Sequence, residues 1–270
     1  LNKNFYFALR FKLLLLMKQS PCINGIVICI AVFFANNLRA QTSFAEPQKV
    51  FSKNATFNKL EDTLKQQFKV KNLNWPPQAV FIRSFKYDRV LELWVKNKNV
   101  DSFTLFKTYK VCMQSGSIGP KRSEGDNQVP EGFYYINEFN SRSNYHLALG
   151  LNYPNASDKV LSDAKKPGGD IYIHGNCVST GCIAIQDYPI EEVYALAAIA
   201  KSNGQDFVPV HIYPVNYNVK KSLEYLTESI KGKDANNKSI LNIKAVYDYF
   251  EKQKKLPIII VNKKGDYILN

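Results

Sequence analysis

The sequence predicts a mostly β protein with flanking helices, an α+β fold, on three observations. From Ala79 onward, short apolar segments alternate with polar residues at a period of two and are separated by polar turns, the pattern of half-buried strands. Aromatic residues are plentiful, 16 Tyr and 17 Phe in 270 residues, and these side chains favour pleated surfaces. Strong helical spacing is confined to a few segments, chiefly 188–201 and the stretch beyond residue 216.

Taken in order, Met17 opens a secretory leader. Lys18 is its basic region, Ile26 to Phe34 its apolar core and Ala40 the small residue at the expected cleavage point. The core is too short to span a bilayer as a helix, and an uncleaved anchor that also uses Leu13 to Leu16 is the alternative. Residues 1–40 are therefore read as leader, and 41–75 as a polar segment leading into an amphipathic helix, Leu60 to Val70. Trp75-Pro76-Pro77 stops that helix, because paired prolines cannot continue one.

A domain over 76–214 follows. Val80 to Phe85, Val90 to Val95 and Phe103 to Cys112 read as strands, and Gly116 to Gly132 as a long loop broken by Gly and Pro. Phe133 to Ile136, Tyr145 to Leu151 and Ile171 to His174 resume the strand pattern, with turns at Asn152 to Asn155 and Lys165 to Gly169. Tyr188 to Lys201 is the strongest helix. Pro189 suits its first turn, Glu191 and Glu192 complement its positive end, and Val193, Leu196, Ala197 and Ala200 form its apolar face. Val208 to Tyr213 is a late strand. Residues 215–270 form a small helical extension, with helices over 217–232 and 239–254 and a final strand, Pro257 to Val261.

Lys and Arg outnumber Asp and Glu by 36 to 23, a formal charge of +13. The basic residues are scattered, and the densest groups, Lys252 to Lys255 and Lys263-Lys264, carry no stacking aromatics or nucleic-acid signature. A general attraction to anionic surfaces is the reading, with no nucleic-acid partner.

Cys22 and Cys29 fall inside the leader, which leaves Cys112, Cys177 and Cys182 in the mature chain. An odd number leaves at least one thiol without an intrachain partner. His174 ends a strand, and Cys182 follows eight positions later, across a loop rich in Gly, Ser, Thr and Asn. Thiolate is the reactive form of cysteine, and an imidazole within reach takes its proton. Gly181 leaves the neighbouring amides uncrowded for a developing oxyanion, and Ser179 is placed to orient the imidazole or bond the loop.

The run His174-Gly175-x-Cys177-x-Ser179-x-Gly181-Cys182-x-Ala184 resembles the catalytic motif of the L,D-transpeptidase family with the YkuD-type fold, in its YafK-like branch. Gly119-Pro120-Lys121-Arg122-x-Glu124-Gly125-Asp126, Pro130-Glu131-Gly132-Phe133-Tyr134 and Asn152-Tyr153-Pro154-Asn155 resemble loops of the same branch. The resemblance implies a sandwich-like or barrel-like β catalytic domain, an exported protein of the cell envelope, no cofactor, and peptidoglycan stem peptides as substrate. Carried over, Cys182 is the nucleophile, His174 the general base, Ser179 the small hydroxyl residue of the motif and Gly181 the oxyanion backbone. The thioester then passes to an amine on peptidoglycan or a wall-linked protein, or to water in an L,D-carboxypeptidase or endopeptidase. The commoner motif has His where Thr180 stands and Arg where Ala184 stands, and both positions bear on how substrate carboxylates are held.

Lys121, Arg122, Glu124, Tyr153, Asn155 and Thr180 are the candidate substrate-binding residues. The charges of the long loop, Asp126 among them, have the chemistry to grip the ends of a diaminopimelate side chain. Cys177 has three readings: a small buried side chain, a redox partner of Cys182 or Cys112, or a second site residue. A zinc site from His174, Cys177, Cys182 and His146 is the rival to catalysis, and a non-catalytic wall-binding module is another. His146 and His211 otherwise read as structural.

Overall fold

The computed structural model describes residues 55–231 and 234–270, and the expected leader lies outside the described residues. Strands β1 (Ala79–Phe85), β2 (Val90–Lys96) and β3 (Phe103–Lys110) form the expected antiparallel meander. Strand β8 (Pro209–Tyr213) runs parallel to β1 and antiparallel to β4 (Gly132–Ser143). β4 pairs with β5 (His146–Leu151), β5 with β6 (Tyr172–His174), and β6 runs parallel to β7 (Ile183–Ala184).

The sheet order is therefore β3-β2-β1-β8-β4-β5-β6-β7. Its two ends meet. Met113, just past β3, bridges Ala184 on β7, with Cys112 N–H donating to Ala184 O at 2.9 Å and Ala184 N–H to Met113 O at 3.0 Å. These bonds close the ribbon into the barrel-like form that the motif resemblance implied.

The period of two explains how β1 is buried along its whole length. Val80 and Ile82 face one layer, where α1 (Ala55–Val70) and α3 (Asp187–Ser202) deliver Leu64, Phe68, Val193, Leu196 and Ala197. Phe81 and Phe85 face the other, which is covered by residues 215–270 through Tyr217, Leu226, Ile243, Tyr247 and Phe250. That layer comprises α4 (Lys220–Ile230), α5 (Asp234–Gln253) and a two-stranded sheet of β9 (Ile259–Val261) and β10 (Tyr267–Leu269). Arg83 ties the layers together. Its buried guanidinium bonds Glu92 at 2.7 Å and Glu251 of α5 at 2.6 Å and lies within about 5 Å of the Phe85, Trp94, Tyr247 and Phe250 ring centres.

Three elements escape the sequence pattern. Helix α2 (Ala156–Leu161) is a single short turn nucleated by a capping box, in which Asn155 accepts from Asp158 N and Asp158 accepts from Asn155 N. β7 is two residues long, and β10 is a short strand set by its pairing to β9. β4 runs well past Ile136 because its polar half is held by hairpin pairing to β5 rather than by burial. Glu191 and Glu192 lie beyond the first turn of α3, where Asp187 is the acidic residue. Glu192 is fully buried and paired to Lys107 at 2.6 Å, while Glu191 bonds His146 at 2.7 Å. Among the described residues no helix is long and apolar enough to cross a membrane.

Candidate active site

His174 is fixed by β6, whose neighbours on both sides, β5 and β7, pair Ala148 and Ala184 with it. Its side chain is buried, and its ring packs against Tyr145 with centroids 4.8 Å apart. Nδ1 lies 2.6 Å from Gly175 O. A carbonyl only accepts, so Nδ1 carries the proton and Nε2 keeps its lone pair, the tautomer a general base needs. Gly175 must be glycine here, since a Cβ would sit 2.7 Å from Asp187 Oδ1 and 2.8 Å from Tyr145 O.

The turn before Cys182 is built around one hydroxyl. Ser179 Oγ donates to Cys182 O at 2.7 Å and accepts from Cys182 N at 3.0 Å, while Gly181 adopts φ +107°, a conformation open to glycine. Ser179 thus shapes the turn that carries the thiol. Gly181 N–H donates to Ser115 Oγ at 2.7 Å, so in this state hydroxyls hold the amides of both Gly181 and Cys182. Ser115 in turn bonds Asn127 O at 2.8 Å, which joins the Cys182 turn to the long Gly/Pro loop.

Burial pushes the Cys182 thiol above its ordinary value, a backbone N–H of Tyr172 pulls it back, and the Asp170 carboxylate adds to the rise. Burial also lowers His174, against the pull of the Gly175 carbonyl. Both shifts favour the uncharged forms. At neutral pH the resting pair is therefore a neutral thiol and a neutral imidazole.

Cys182 and His174 line a cleft of about 510 Å³ together with Tyr145, Tyr172, Ser179 and Thr180. A second cleft, about 530 Å³, shares Gly169, Asp170 and Thr180 with the first and is lined further by Lys121, Glu124, Lys165 and Lys166. Thr180 stands on the boundary between them.

The loop charges expected to hold substrate are largely satisfied within the protein. Lys121 Nζ bonds Asp126 at 2.6 Å and Ser123 O at 2.8 Å. Asp126 also accepts from the amides of Arg122, Ser123 and Gln128, and these bonds outweigh desolvation and hold its carboxyl down at about 2. Arg122 reaches Asp158 at 3.3 Å and does not line either cleft. Tyr153 and Asn155, expected to line the cleft, are instead buried. Tyr153 donates to Pro167 O at 3.0 Å, and Asn155 caps α2 while donating to Phe133 O and Tyr267 Oη. Polar side chains inside a packed layer must find such partners, and that fixes these two as structural. Of the motif-derived binding set, only Lys121, Glu124 and Thr180 face a cleft.

Cys177 is joined to Cys112, and Cys182 is the free cysteine among the described residues. This selects one of the three readings of Cys177 and replaces a Cys177–Cys182 bridge. It also removes Cys177 from the zinc set, and among the described residues no three of His, Cys, Asp and Glu converge as a metal cage. Tyr145, Tyr172, Ser115, Arg142 and Asp170 were missed by sequence reasoning. They lie on three separate segments, and nothing in their local pattern marks them.

Comparison with known proteins agrees with the motif. Residues 81–221 match the YkuD family model, the L,D-transpeptidase catalytic domain. The chain belongs to the L,D-transpeptidase catalytic domain family. It is 35% identical over 198 residues to YafK of Escherichia coli K12, named provisionally as an L,D-transpeptidase, covering 71% of this chain and 74% of that one. YafK of E. coli O157:H7 matches equally. Among solved structures, the helical cell shape determining protein Pgp2 from Campylobacter jejuni is similar at 25% identity and TM-score 0.41, over 51% of this chain and 48% of that one. Bd1075 of Bdellovibrio bacteriovorus is similar at 20% identity and TM-score 0.38, over 66% of this chain and 63% of that one. The L,D-transpeptidase family model ends at residue 221, so most of the layer formed by α4, α5, β9 and β10 lies outside the matched domain.

Proposed function

We propose that the protein is an exported L,D-transpeptidase that acts on peptidoglycan stem peptides through a Cys182 thioester. The observation that carries this is the pairing, in one cleft, of a free thiol with an imidazole whose Nε2 lone pair is available. His174 Nε2 takes the Cys182 proton as Sγ attacks the carbonyl carbon of the L,D bond. The C–N bond then breaks, and the leaving D-residue's amine takes that proton from His174. Tyr172 N–H stabilises charge on the sulfur, and Gly181 N–H serves the oxyanion once Ser115 gives it up.

The second cleft meets the first at Thr180, which gives an amine acceptor its own approach to the thioester and favours transfer over hydrolysis. His174 then removes the acceptor's proton as its nitrogen displaces Sγ. The YafK-like motif and the family's substrate class support a location in the periplasm or cell envelope.

Purified protein incubated with disaccharide tetrapeptides, with and without an amine acceptor, tests the reading by mass spectrometry. Release of D-alanine with a Cys182-linked adduct is expected, and a cross-linked product when acceptor is present. Release without any amine product identifies an L,D-carboxypeptidase, and undiminished turnover by Cys182→Ala overturns the thioester. A wild-type protein that binds the fragments without turnover identifies a wall-binding module.

A further inference from the structure

The cleft around Cys182 is amphoteric. Among its lining residues Arg142 is the one cation and Asp170 the one anion, with His174 held neutral by burial. Both side chains are exposed. Among the described residues, neither charged group takes part in an ion pair or side-chain hydrogen bond, with each other or with anything else. Arg142 uses only its backbone N–H, which donates to Asn140 Oδ1 at 3.0 Å. This contrasts with the loop charges Lys121, Arg122 and Asp126, all of which are bonded inside the protein.

The two residues come from different elements. Arg142 lies in the polar tip of the β4–β5 hairpin, the same tip that sends Tyr145 onto the His174 ring. Asp170 precedes β6 and holds its backbone carbonyl 3.5 Å from Cys182 Sγ. Its carboxylate is close enough to the sulfur to act on it electrostatically. The position two residues after Cys182 cannot supply a cation, because Ala184 is wholly buried between β6 and the Met113 bridge. Any carboxylate entering this cleft has Arg142 as its cationic partner.

We propose that Arg142 and Asp170 form a zwitterion-binding pair that reads the free carboxylate and ammonium at the end of the stem peptide's diamino-acid side chain, which makes them specificity-determining residues of the acyl donor site. This rests on the Cys182 thioester reading. A guanidinium binds a carboxylate through two parallel hydrogen bonds, and a carboxylate is the natural partner of an ammonium. The donor's third residue carries the scissile carbonyl on one centre and both charged groups on the other, so engaging them fixes that carbonyl relative to Cys182.

The test uses three disaccharide tetrapeptides. One carries meso-diaminopimelate, one its side-chain carboxamide, and one lysine, which keeps the ammonium and lacks the carboxylate. Wild type, Arg142→Gln, Arg142→Lys and Asp170→Asn are compared by KM, kcat and the mass of the Cys182 adduct. With the free carboxylate, Arg142→Gln is expected to raise KM about tenfold with kcat little changed, the loss of one charge-assisted bidentate contact. Wild type and Arg142→Gln should converge on the carboxamide and lysine peptides, and Arg142→Lys should recover part of the affinity. Asp170→Asn should raise KM on all three peptides and lose that effect when the side-chain amine is acetylated. An equal effect of Arg142→Gln on all three peptides, or none, overturns the proposal while the adduct still supports the thioester. Absence of any Cys182 adduct from wild type overturns the thioester reading and the proposal together.

Discussion

Cys112 and Cys177 are bonded across the seam where the end of β3 meets β7. Cys177 lies within the loop that joins His174 to Cys182, so the bond ties that loop to the closure of the sheet. It spans 65 residues of chain, including β4, β5, α2 and β6.

Reduction is therefore expected to lower activity rather than raise it. A crosslink over a loop of this length stabilises by roughly 2–4 kcal/mol, or about 5–15 °C in Tm for a domain of this size. Dithiothreitol should lower both Tm and turnover of the wild type. Cys112→Ser and Cys177→Ser should reproduce the loss and show no further response to reductant. Activity that rises with reductant would point instead to a bond masking Cys182.

The neutral resting pair predicts an unusual pH profile. His174 titrates below its ordinary value, so it remains a competent base as pH falls through 6.5, and the acid limb of kcat/KM lies below that point. Cys182 ionises above its ordinary value, so iodoacetamide should label it more slowly at pH 7 than it labels a free thiol, with the rate still climbing past pH 9. An acid limb above pH 7, or labelling at neutral pH faster than a free thiol, would mean a preformed ion pair.

His211 predicts where acid destabilises the fold. It is buried between Phe81 and Phe133, near Arg83, and burial followed by that positive charge pushes its pKa down to about 3. Its unfolded value is near 6.5, so between those limits the unfolded chain binds the extra proton. Its contribution is complete above pH 6.5 and is lost as pH falls toward 3, at up to about 1.4 kcal/mol per unit. Denaturant unfolding of His211→Gln at pH 7 and pH 4.5 should show a smaller acid loss than wild type. An equal loss in both would assign the effect elsewhere.

Arg83 predicts that residues 215–270 are integral to the domain. Arg83→Met leaves Glu92 buried without its cation and should cost roughly 3–5 kcal/mol, read by urea unfolding. A chain ending at Pro214 exposes Phe81, Phe85, Trp94 and Tyr213 and should not fold to a soluble monomer. A soluble, active truncation would make the layer an independent appendage.

The succession of strands along the chain and the central α3 helix were legible because burial on one face writes itself into the sequence at periods of 2 and 3.6. That Cys182 and His174 share one cleft was legible through the spacing of one motif. α2, β7 and β10 were not, because a capping box, a two-residue parallel pairing and a short edge strand leave little periodic trace. The loop charges misled for a related reason. Sequence shows that Lys121, Arg122 and Asp126 are charged, but whether those charges face solvent or one another depends on the path of the loop.

The sequence by itself determined the element pattern, the cysteine and histidine of the site, and the family of the fold, because these depend on residue type and short-range spacing. Only the tertiary structure decided which cysteine is free, which histidine nitrogen bonds the Gly175 carbonyl, and that Arg142 and Asp170 share the cleft. The first and last depend on contacts between segments distant in the chain, brought together by closure of the sheet, and local spacing carries no record of them.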